Sequence, residues 1–298
     1  DSGSQNATRM ATKETSMKKS VYRTNENTLI SLSGGRTSGL LLHKTLQEYG
    51  GKLPDHVKVT FANTGKELPQ TLDFVRDMET KWGVDVVWLE YGGRTPIKDS
   101  NKFKYSVNVV DYETASRNGE PFRQLLDDVN GLPNQMYRYC SGQLKIRTMV
   151  RHLKSIGWEK GWICFIGIRA DEPRRAAKLH NKISEGQDCF CPLYLDKVTK
   201  EDVGKFWANN DFDLDLPNNN GTTDWGNCDL CFLKAKNKRL SIAKQRPDLI
   251  QWWIDAEKGK NDQFDRNGWT YAQMQVIAST QTSMFDYGDE SISCFCGD

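Results

Sequence analysis

A short apolar run that ends in two glycines and continues as a helix limits the folds open to this chain. Thr28–Leu32 has the pattern of a buried strand, residues 33–35 (Ser-Gly-Gly) supply a turn, and apolar residues then recur at helical spacing. Where a strand feeds a helix in this way, backbone N–H groups at the helix N-terminus are free to hold an anion. Thr37 and Ser38 add hydroxyls, and Arg36 adds a positive charge. A serine-capped turn without a ligand is the alternative, but the combination favours a phosphate loop.

Strand and helix patterns alternate after this loop, which is typical of a parallel sheet built by crossover connections. Residues 57–62 predict a second strand, 68–82 a second helix and 84–89 a third strand, and 162–168 form a later apolar strand. Between residues 91 and 133 the periodicity fades into glycines, prolines and mixed charge. Such a stretch predicts a lid or a substrate loop. The sequence therefore predicts an α/β protein.

Composition and punctuation divide the chain into three parts. Residues 1–20 are polar and lack the apolar centre of a secretory signal, so we expect a disordered leader or a cloning remnant outside the fold. Residues 21–216 form the predicted nucleotide-binding domain, and the asparagine-rich run after Leu216 opens a smaller, mainly helical, cysteine-bearing region, 217–298. No apolar run approaches the ~20 residues that cross a bilayer, and we expect a cytoplasmic protein without membrane contact.

The eight cysteines are too sparse for a disulfide scaffold, and most of them stand in close pairs, which indicates a metal before crosslinks. Cys228 and Cys231 form a C-x-x-C pair that can place two thiolates on one metal. A second such pair, which a four-cysteine zinc site would ordinarily show, is missing. The candidate ligands are Cys140, Cys228, Cys231 and one of Cys294 or Cys296, with Cys189 and Cys191 as a redox pair or an alternative source.

Six cations without an intervening acid follow the C-x-x-C pair, although the whole chain carries a formal net charge of only +2. The segment 234–246 could hold a nucleic-acid backbone, or it could be the solvated face of a helix. Its cations are Lys234, Lys236, Lys238, Arg239, Lys244 and Arg246.

The loop resembles the PP-loop, SGGxxS, of the superfamily of ATP pyrophosphatases and phosphoadenosine phosphosulfate (PAPS) reductases. Further segments resemble the family in the same order, from residue 28 to about residue 207: 61–67, 140–145 (Cys-x-x-x-Leu-Lys), 167–172, and Pro-Leu at 192–193 followed by Asp-Val at 202–203. The resemblance implies an adenine nucleotide alpha hydrolase-like, Rossmann-like parallel sheet between helices. Because the SGGxxS loop is intact, it also implies cleavage of ATP to AMP and pyrophosphate.

The same resemblance assigns roles to individual residues. The pyrophosphate would lie on the phosphate loop, the nucleotide would lie near Asn63 and Thr64, and Gly167 and Arg169 would meet phosphate, with Mg²⁺ offsetting charge. Lys145 and Arg174 could also bind substrate phosphate, or they could belong to a charged helix face. Ser38, Lys145 and Arg169 are the predicted catalytic residues. Glu67, Asp171 and Glu172 could orient a metal or a substrate amine, or be solvated loop carboxylates. The residues assigned to the pyrophosphate are Ser33, Gly34, Gly35, Arg36, Thr37 and Ser38.

Related sulfonucleotide reductases and DndC-like ATPases of DNA phosphorothioation carry an iron–sulfur cluster, which implies a [4Fe–4S] cluster on Cys140, Cys228, Cys231 and, provisionally, Cys294, with zinc as the alternative. The expected function is ATP-dependent adenylation in sulfur transfer or nucleic-acid modification, with a sulfur donor such as a cysteine desulfurase as a partner. Similarity to reductase-like proteins of phages would place it in a host cytoplasm. The alternatives are a PAPS or adenylyl-sulfate reductase that releases sulfite, and a non-catalytic nucleotide-binding adaptor.

Overall fold

A computed structural model describes residues 20–159 and 161–280. Within these ranges the chain forms one seven-stranded sheet. Its strands are β1 (Thr28–Leu32), β2 (Val57–Asn63), β3 (Val86–Pro96), β4 (Phe103–Val110), β5 (Trp162–Phe165), β6 (Lys182–Ser184) and β7 (Gln187–Phe190). Their order across the sheet is β4-β3-β2-β1-β5-β7-β6.

The five inner strands are parallel, and an antiparallel strand closes each edge. The chain leaves β1 toward β2 on one side and later returns to pair β5 on the other side. The crevice between the carboxyl ends of β1 and β5 is thus the topological switch point, where open α/β sheets bind their ligands. The predicted α/β class and parallel sheet are confirmed.

Helices cover both faces of the sheet and continue beyond it. Thr199 and Asp202 close the capping box expected at the start of one of them, α7. The helices are α1 (Arg36–Glu48), α2 (Pro69–Trp82), α3 (Glu120–Val129), a π-helical turn (Ser141–Ile146), α4 (Arg147–Ser155), α5 (Pro173–Leu179), α6 (Pro192–Leu195), α7 (Lys200–Ala208), α8 (Lys236–Gln245), a 3-10 turn (Pro247–Leu249), α9 (Ile250–Lys260) and α10 (Tyr271–Thr280). In the described ranges no helix is long and apolar enough to cross a membrane.

Alternate residues of the strands face different apolar clusters. In β1, Ile30 packs in a cluster with α1, α2 and α7, whereas Leu29 packs in a cluster with α4. A third cluster joins Leu125 of α3 and Leu144 of the π-helical turn to the buried Trp253 of α9 and its neighbours. The helices that follow residue 217 therefore share a core with the nucleotide-binding part.

The prediction of an irregular loop between residues 91 and 133 is wrong. There β3 runs on to Pro96 and pairs with β4 as a long antiparallel ribbon, and α3 follows. Residues on β4 are exposed or half-buried on both faces, so this strand lacks the alternation of apolar and polar residues by which a strand is predicted.

Candidate nucleotide-binding site

The phosphate loop lies at the switch point, between the end of β1 and the start of α1. Gly35 is the N-cap residue of α1, and no side chain of the described residues caps the helix there. The first-turn N–H groups have no partner within the helix, and the helix dipole favours a negative charge beside them. Gly34 has φ +76°, and a Cβ on it would lie 2.4 Å from Cγ2 of Thr71. Only glycine fits this position, so the turn is built for close backbone approach.

Ser38 braces the loop from inside. Its hydroxyl accepts a hydrogen bond from the Ser33 amide at 3.1 Å and donates to the Gly35 carbonyl at 2.9 Å. The Ser33 and Ser38 hydroxyls also lie 2.9 Å apart. The loop is therefore held in shape before a ligand arrives, which lowers the entropy that binding would cost.

The segment after β5 packs directly on the loop. Nη1 of Arg169 donates to the Thr37 hydroxyl at 3.2 Å and lies 3.5 Å from a carboxylate oxygen of Glu172, while Nε and Nη2 donate to Asp171. A Cβ on Gly167 would lie 3.2 Å from both Cα and N of Ser38. The two carboxylates therefore orient an arginine and are not simply solvated, and the predicted Gly167 and Arg169 both lie against the phosphate loop.

The Arg36 guanidinium is largely engaged in contacts inside the protein. This corrects the sequence interpretation, in which Arg36 added a positive charge to the phosphate loop. The side chain is buried, with Nε and Nη2 donating to Asp213 at 2.7 and 2.8 Å and Nη2 also donating to the Leu216 carbonyl. Trp207 donates to the Arg36 carbonyl at 2.8 Å. Most of this guanidinium anchors the start of α1 to the chain that follows α7.

A pocket of about 50 Å³ opens beside the loop, between the sheet and α4. Ser33 and Ser38 form its polar end, and the Lys145 side chain contributes to its wall. The rest of its lining is mainly apolar, with Ala62, Ile146, Met149, Cys164, Ile166 and the polar Gln187. An apolar pocket with a few polar groups at one end suits a nucleoside whose phosphates lie on the loop.

Lys145 and Cys228 belong to a buried polar cluster beside this pocket. Nζ of Lys145 lies 3.4 Å from Oε1 of Glu67, whose other oxygen accepts from the amide and hydroxyl of Thr64. The Thr64 hydroxyl lies 3.5 Å from Sγ of Cys228. Burial, and then the charge of Glu67, raise the pKa of the Cys228 thiol to about 12, against the opposing effect of Lys145. The thiol is accordingly neutral at physiological pH.

Two other predicted residues have different surroundings. Asn63 is buried, and its amide nitrogen donates to Glu90 at 2.6 Å and to the Ser116 carbonyl at 2.8 Å, which fixes the end of β2. Arg174 lies exposed at the start of α5. Asn63 therefore holds the carboxyl end of β2 in place, whereas the Arg174 side chain is exposed to solvent.

The predicted cluster ligands are only partly brought together. Cys140 and Cys228 are buried in the apolar cluster shared by the two parts of the chain, and the half-buried Cys231 packs against it. Cys294 lies outside the described residues. Within residues 20–159 and 161–280, no three His, Cys, Asp or Glu residues are grouped closely enough to hold a metal ion. The described residues therefore show no metal-ion site, and the [4Fe–4S] cluster and its zinc alternative stay predictions.

Much of the basic segment is occupied with contacts inside the protein. Arg239 forms a buried ion pair with Asp265 at 2.6 Å, and Arg246 pairs with Asp248 at 2.6 Å. Lys234 and Lys238 hold residues 224–226, through backbone carbonyls and the Asp224 carboxylate. The three ion pairs leave the segment with less charge for a nucleic-acid backbone than its composition suggests.

Sequence patterns did not indicate Asp213 or Gln187. Asp213 lies 177 positions from Arg36, and only the folded chain joins them. Gln187 accepts a hydrogen bond from the Trp162 indole at 3.1 Å, and this contact identifies it only once β5 and β7 are paired. Neither residue stands in a motif, so no signal within the sequence could have singled it out.

Fold and site together define an α/β protein with a phosphate loop at the switch point of a parallel sheet. A family model described as phosphoadenosine phosphosulfate reductase domain matches residues 27–214. Since this match covers more than half of the 298 residues, the chain belongs to that domain family.

Similar proteins include the uncharacterised nin region protein ORF290 of Escherichia phage lambda, which is 29% identical over 224 residues, 75% of this chain and 71% of the phage protein. An uncharacterised protein of Methanocaldococcus jannaschii is 22% identical over 260 residues, 82% of this chain but only 51% of its own length. Among solved structures, the phosphate complex of PAPS reductase from Candida auris aligns with a TM-score of 0.32 at 18% identity, over 57% of this chain and 67% of that one.

Proposed function

We propose that the protein binds ATP on the phosphate loop and cleaves it to AMP and pyrophosphate while it adenylates an acceptor. The observation that carries this proposal is the uncapped N-terminus of α1 behind a pre-shaped SGG turn, with Arg169 packed against it. Such an anion site at the end of a mainly apolar pocket matches a nucleotide with its phosphates on the loop.

The residues of this chain would act mainly by binding charge. Cleavage between the α- and β-phosphates transfers AMP to an acceptor oxygen and leaves pyrophosphate with the bonding electrons. Backbone N–H groups of the first turn of α1 would stabilise the negative charge on that leaving group. The Lys145 ammonium, held by Glu67 on the pocket wall, would offset charge on the phosphate being attacked. Mg²⁺ would arrive with the triphosphate, on its oxygens, and supply further charge neutralisation.

Sulfur transfer or nucleic-acid modification is the proposed use of the adenylated acceptor. The family domain supports a sulfur-related role, and the Cys228 thiol lies beside Lys145 and Glu67. A sulfur donor such as a cysteine desulfurase, and a nucleic-acid acceptor, are the proposed partners. The reaction above is written for the residues of this chain and contains no step through iron and sulfide.

The second candidate is reduction of PAPS or adenylyl sulfate with release of sulfite, which the family domain over residues 27–214 favours equally. A reductase must present a thiol to the sulfonucleotide, and the buried Cys228 thiol lies 3.5 Å from the Thr64 hydroxyl, beside the pair of Lys145 and Glu67. The intact SGG turn and its uncapped helix favour a polyphosphate, and we therefore place ATP first.

One anaerobic experiment separates the two. The purified protein is assayed for iron and acid-labile sulfide and is incubated with Mg²⁺ and either ATP or PAPS, with candidate acceptors. AMP with pyrophosphate from ATP supports the proposal, and sulfite from PAPS rejects it in favour of the reductase. Binding of ATP without any release would indicate an adaptor. The Ser38→Ala variant should lose turnover and stay folded, with a melting temperature lowered by the loss of a buried hydrogen-bonded hydroxyl, and Ser155→Ala, at the exposed end of α4, is the surface control.

A further inference from the structure

The antiparallel ribbon of β3 and β4 projects from the edge of the sheet at which the phosphate loop lies. Parallel strands end at a common edge, and β2 pairs with β3 only as far as Asn63, which lies opposite Glu90. Beyond that point β3 runs on to Pro96 and pairs with β4. Residues 91–96 span about 20 Å of extended strand. The outer part of the ribbon therefore stands beyond the proposed ATP site, at the same edge of the sheet.

The outer ribbon, residues 94–105, is strongly basic. It contains four Lys or Arg residues and one Asp. Lys98, Lys102 and Lys104 are exposed and form no ion pair with any residue that the structure describes. In segment 234–246, by contrast, three cations are engaged in ion pairs within the protein. The outer ribbon thus offers the positive potential that attracts a phosphodiester backbone.

Two aromatic rings lie along one face of β4, and a guanidinium stacks on each. The guanidinium carbon of Arg94 lies 3.9 Å from the centre of the Phe103 ring, and that of Arg151 on α4 lies 4.1 Å from the centre of the Tyr105 ring. The Phe103 side chain is still 38% exposed. Exposed rings among cations bind single strands, because unpaired bases stack on the rings while the cations hold the phosphates. A base pair inside a duplex is already stacked on its neighbours and gains nothing from such a ring.

Hydrogen bonds fix the ribbon to the elements around the nucleotide pocket. Asp128 of α3 accepts from the Tyr91 hydroxyl at 2.8 Å and from the Arg94 amide at 3.1 Å, and its carbonyl accepts from the Arg94 guanidinium. Nη2 of Arg151 donates to the side-chain oxygen of Gln143 at 2.7 Å, in the π-helical turn that contributes to the pocket wall. The cations along this face therefore form a fixed path from the outer ribbon to the pocket.

We propose that the outer ribbon is the docking surface for a single-stranded nucleic acid, which is the acceptor of the proposed reaction. Phosphates of the strand contact Lys98, Lys102 and Lys104, and a base stacks on Phe103. The inference rests on the proposed function and extends it, because it names the class of acceptor and assigns its recognition to the ribbon instead of the segment 234–246.

The test is fluorescence anisotropy of the full chain with labelled oligonucleotides of about 20 nucleotides, which is longer than the strand that one such surface covers. Single-stranded DNA, single-stranded RNA of the same sequence and the DNA duplex are separate arms, each measured from about 50 to 200 mM salt. Poly-glutamate of equal charge is the competitor. The ribbon variant combines Lys98→Ala, Lys102→Ala and Lys104→Ala, and Phe103→Leu is the second variant.

The matched control removes the same charge from exposed lysines outside the ribbon. It combines Lys52→Ala, Lys182→Ala and Lys205→Ala, and Lys182 lies on β6, the edge strand at the other side of the sheet. Titration of every variant with ATP shows whether the nucleotide site is intact. We expect ATP affinity within about twofold of wild type in all of them, because none of these side chains borders the pocket.

The ribbon variant should bind single strands at least about tenfold more weakly, and its slope of log affinity against log salt should fall by about 2, since each lost phosphate contact removes about 0.7. Phe103→Leu should weaken binding of single strands about fivefold or more and binding of the duplex at most about twofold. The control variant should bind as wild type does. Binding of DNA or of RNA upholds the surface, and the tighter of the two identifies the acceptor.

Equal losses in the ribbon and control variants, tighter binding of the duplex than of either strand, or displacement by poly-glutamate would overturn the proposal. Lysines that only protect an edge strand from pairing with another chain would leave oligonucleotide affinity unchanged in the ribbon variant, which also overturns it. In each of these cases, cleavage of ATP by the wild-type protein still upholds the proposed function. Wild-type protein that does not bind ATP would instead overturn the proposed function itself, whatever the oligonucleotides do.

Discussion

Arg169 donates a hydrogen bond from Nη1 to the hydroxyl of Thr37 at 3.2 Å, and this contact joins the segment after β5 to the first turn of α1. Two strands that neighbour each other only in the folded sheet thus meet at the phosphate loop. The guanidinium is buried and is held from its other side by Asp171. The position of the loop therefore depends on a residue 132 positions away in the chain.

Replacement of Thr37 by valine tests this contact. Thr37→Val keeps the shape of the side chain and removes the acceptor of Arg169, so we expect ATP affinity and turnover to fall about tenfold, the usual value of one charged hydrogen bond. Isothermal titration and pyrophosphate release are the measurements. Thr45→Val is the matched control, since Thr45 is buried on the same helix and its hydroxyl donates to the Leu41 carbonyl within that helix. Equal effects of both variants would contradict a specific role for Thr37.

The Gly167→Ala substitution should push the segment after β5 away from the phosphate loop. Because the Cβ of Gly167→Ala would lie 3.2 Å from the Ser38 backbone, one segment must shift by a few tenths of an ångström. We expect nucleotide affinity to fall by about tenfold or more with a modest loss of stability.

The control for that change is Gly259→Ala in α9, where a Cβ meets nothing within 4 Å. It should raise the free energy of unfolding by about 0.5–1 kcal/mol, because alanine favours a helix over glycine, and leave nucleotide binding as it was. Urea denaturation and titration with ATP measure both variants. Unaltered affinity in Gly167→Ala would show that the close approach is not needed for binding.

Lys66 and Asp229 form a buried ion pair at 2.8 Å that links the loop after β2 to the C-x-x-C segment. The other oxygen of Asp229 accepts from the Trp253 indole at 2.7 Å. Asp229→Asn should lower the free energy of unfolding by about 3–5 kcal/mol, since it leaves a buried cation unpaired. Asp248→Asn, which breaks an exposed pair with Arg246, should cost at most about 1 kcal/mol. Urea denaturation at neutral pH measures the free energy of unfolding of both variants. Equal decreases would show that burial of the pair does not determine the cost of breaking it.

Alkaline pH should destabilise the fold through its buried thiols. Burial, and then Cys189, raise the pKa of Cys191 from 9.0 to about 12. Above pH 9 the unfolded chain loses this proton while the folded chain keeps it, so the folded state binds more protons and the free energy of unfolding falls as pH rises. This contribution is complete below pH 9 and is lost between 9 and about 12.

Urea denaturation at about pH 8, 9 and 10 measures the slope, which one fully titrating thiol sets at about −1.4 kcal/mol per pH unit. Cys191→Ala should flatten the slope. Leu193→Ala, a neighbouring buried residue that does not titrate, should lower stability at every pH and leave the slope as in wild type. Parallel curves for wild type and Cys191→Ala would contradict the assignment.

Local chemistry explains which features the sequence predicted. The turn at 33–35, the capping box of Thr199 and Asp202, and the apolar runs of the inner strands are each specified by residues within a few positions of one another. The role of Arg36 is different, because its cation is used by Asp213, far along the chain. Strand β4 escaped prediction because its exposed residues lack a buried face. Contacts between residues far apart in the chain, and exposed edge strands, therefore could not be predicted from the sequence and became visible only in the folded structure.

Leu125 and Leu144 share an apolar cluster with Trp253, and this cluster determines how short a fragment of the protein can be and still fold. A fragment that ends at residue 214, where the family domain ends, would expose these apolar side chains to solvent. A chimaeric protein that contains the nucleotide-binding part must therefore also contain helices α8 to α10.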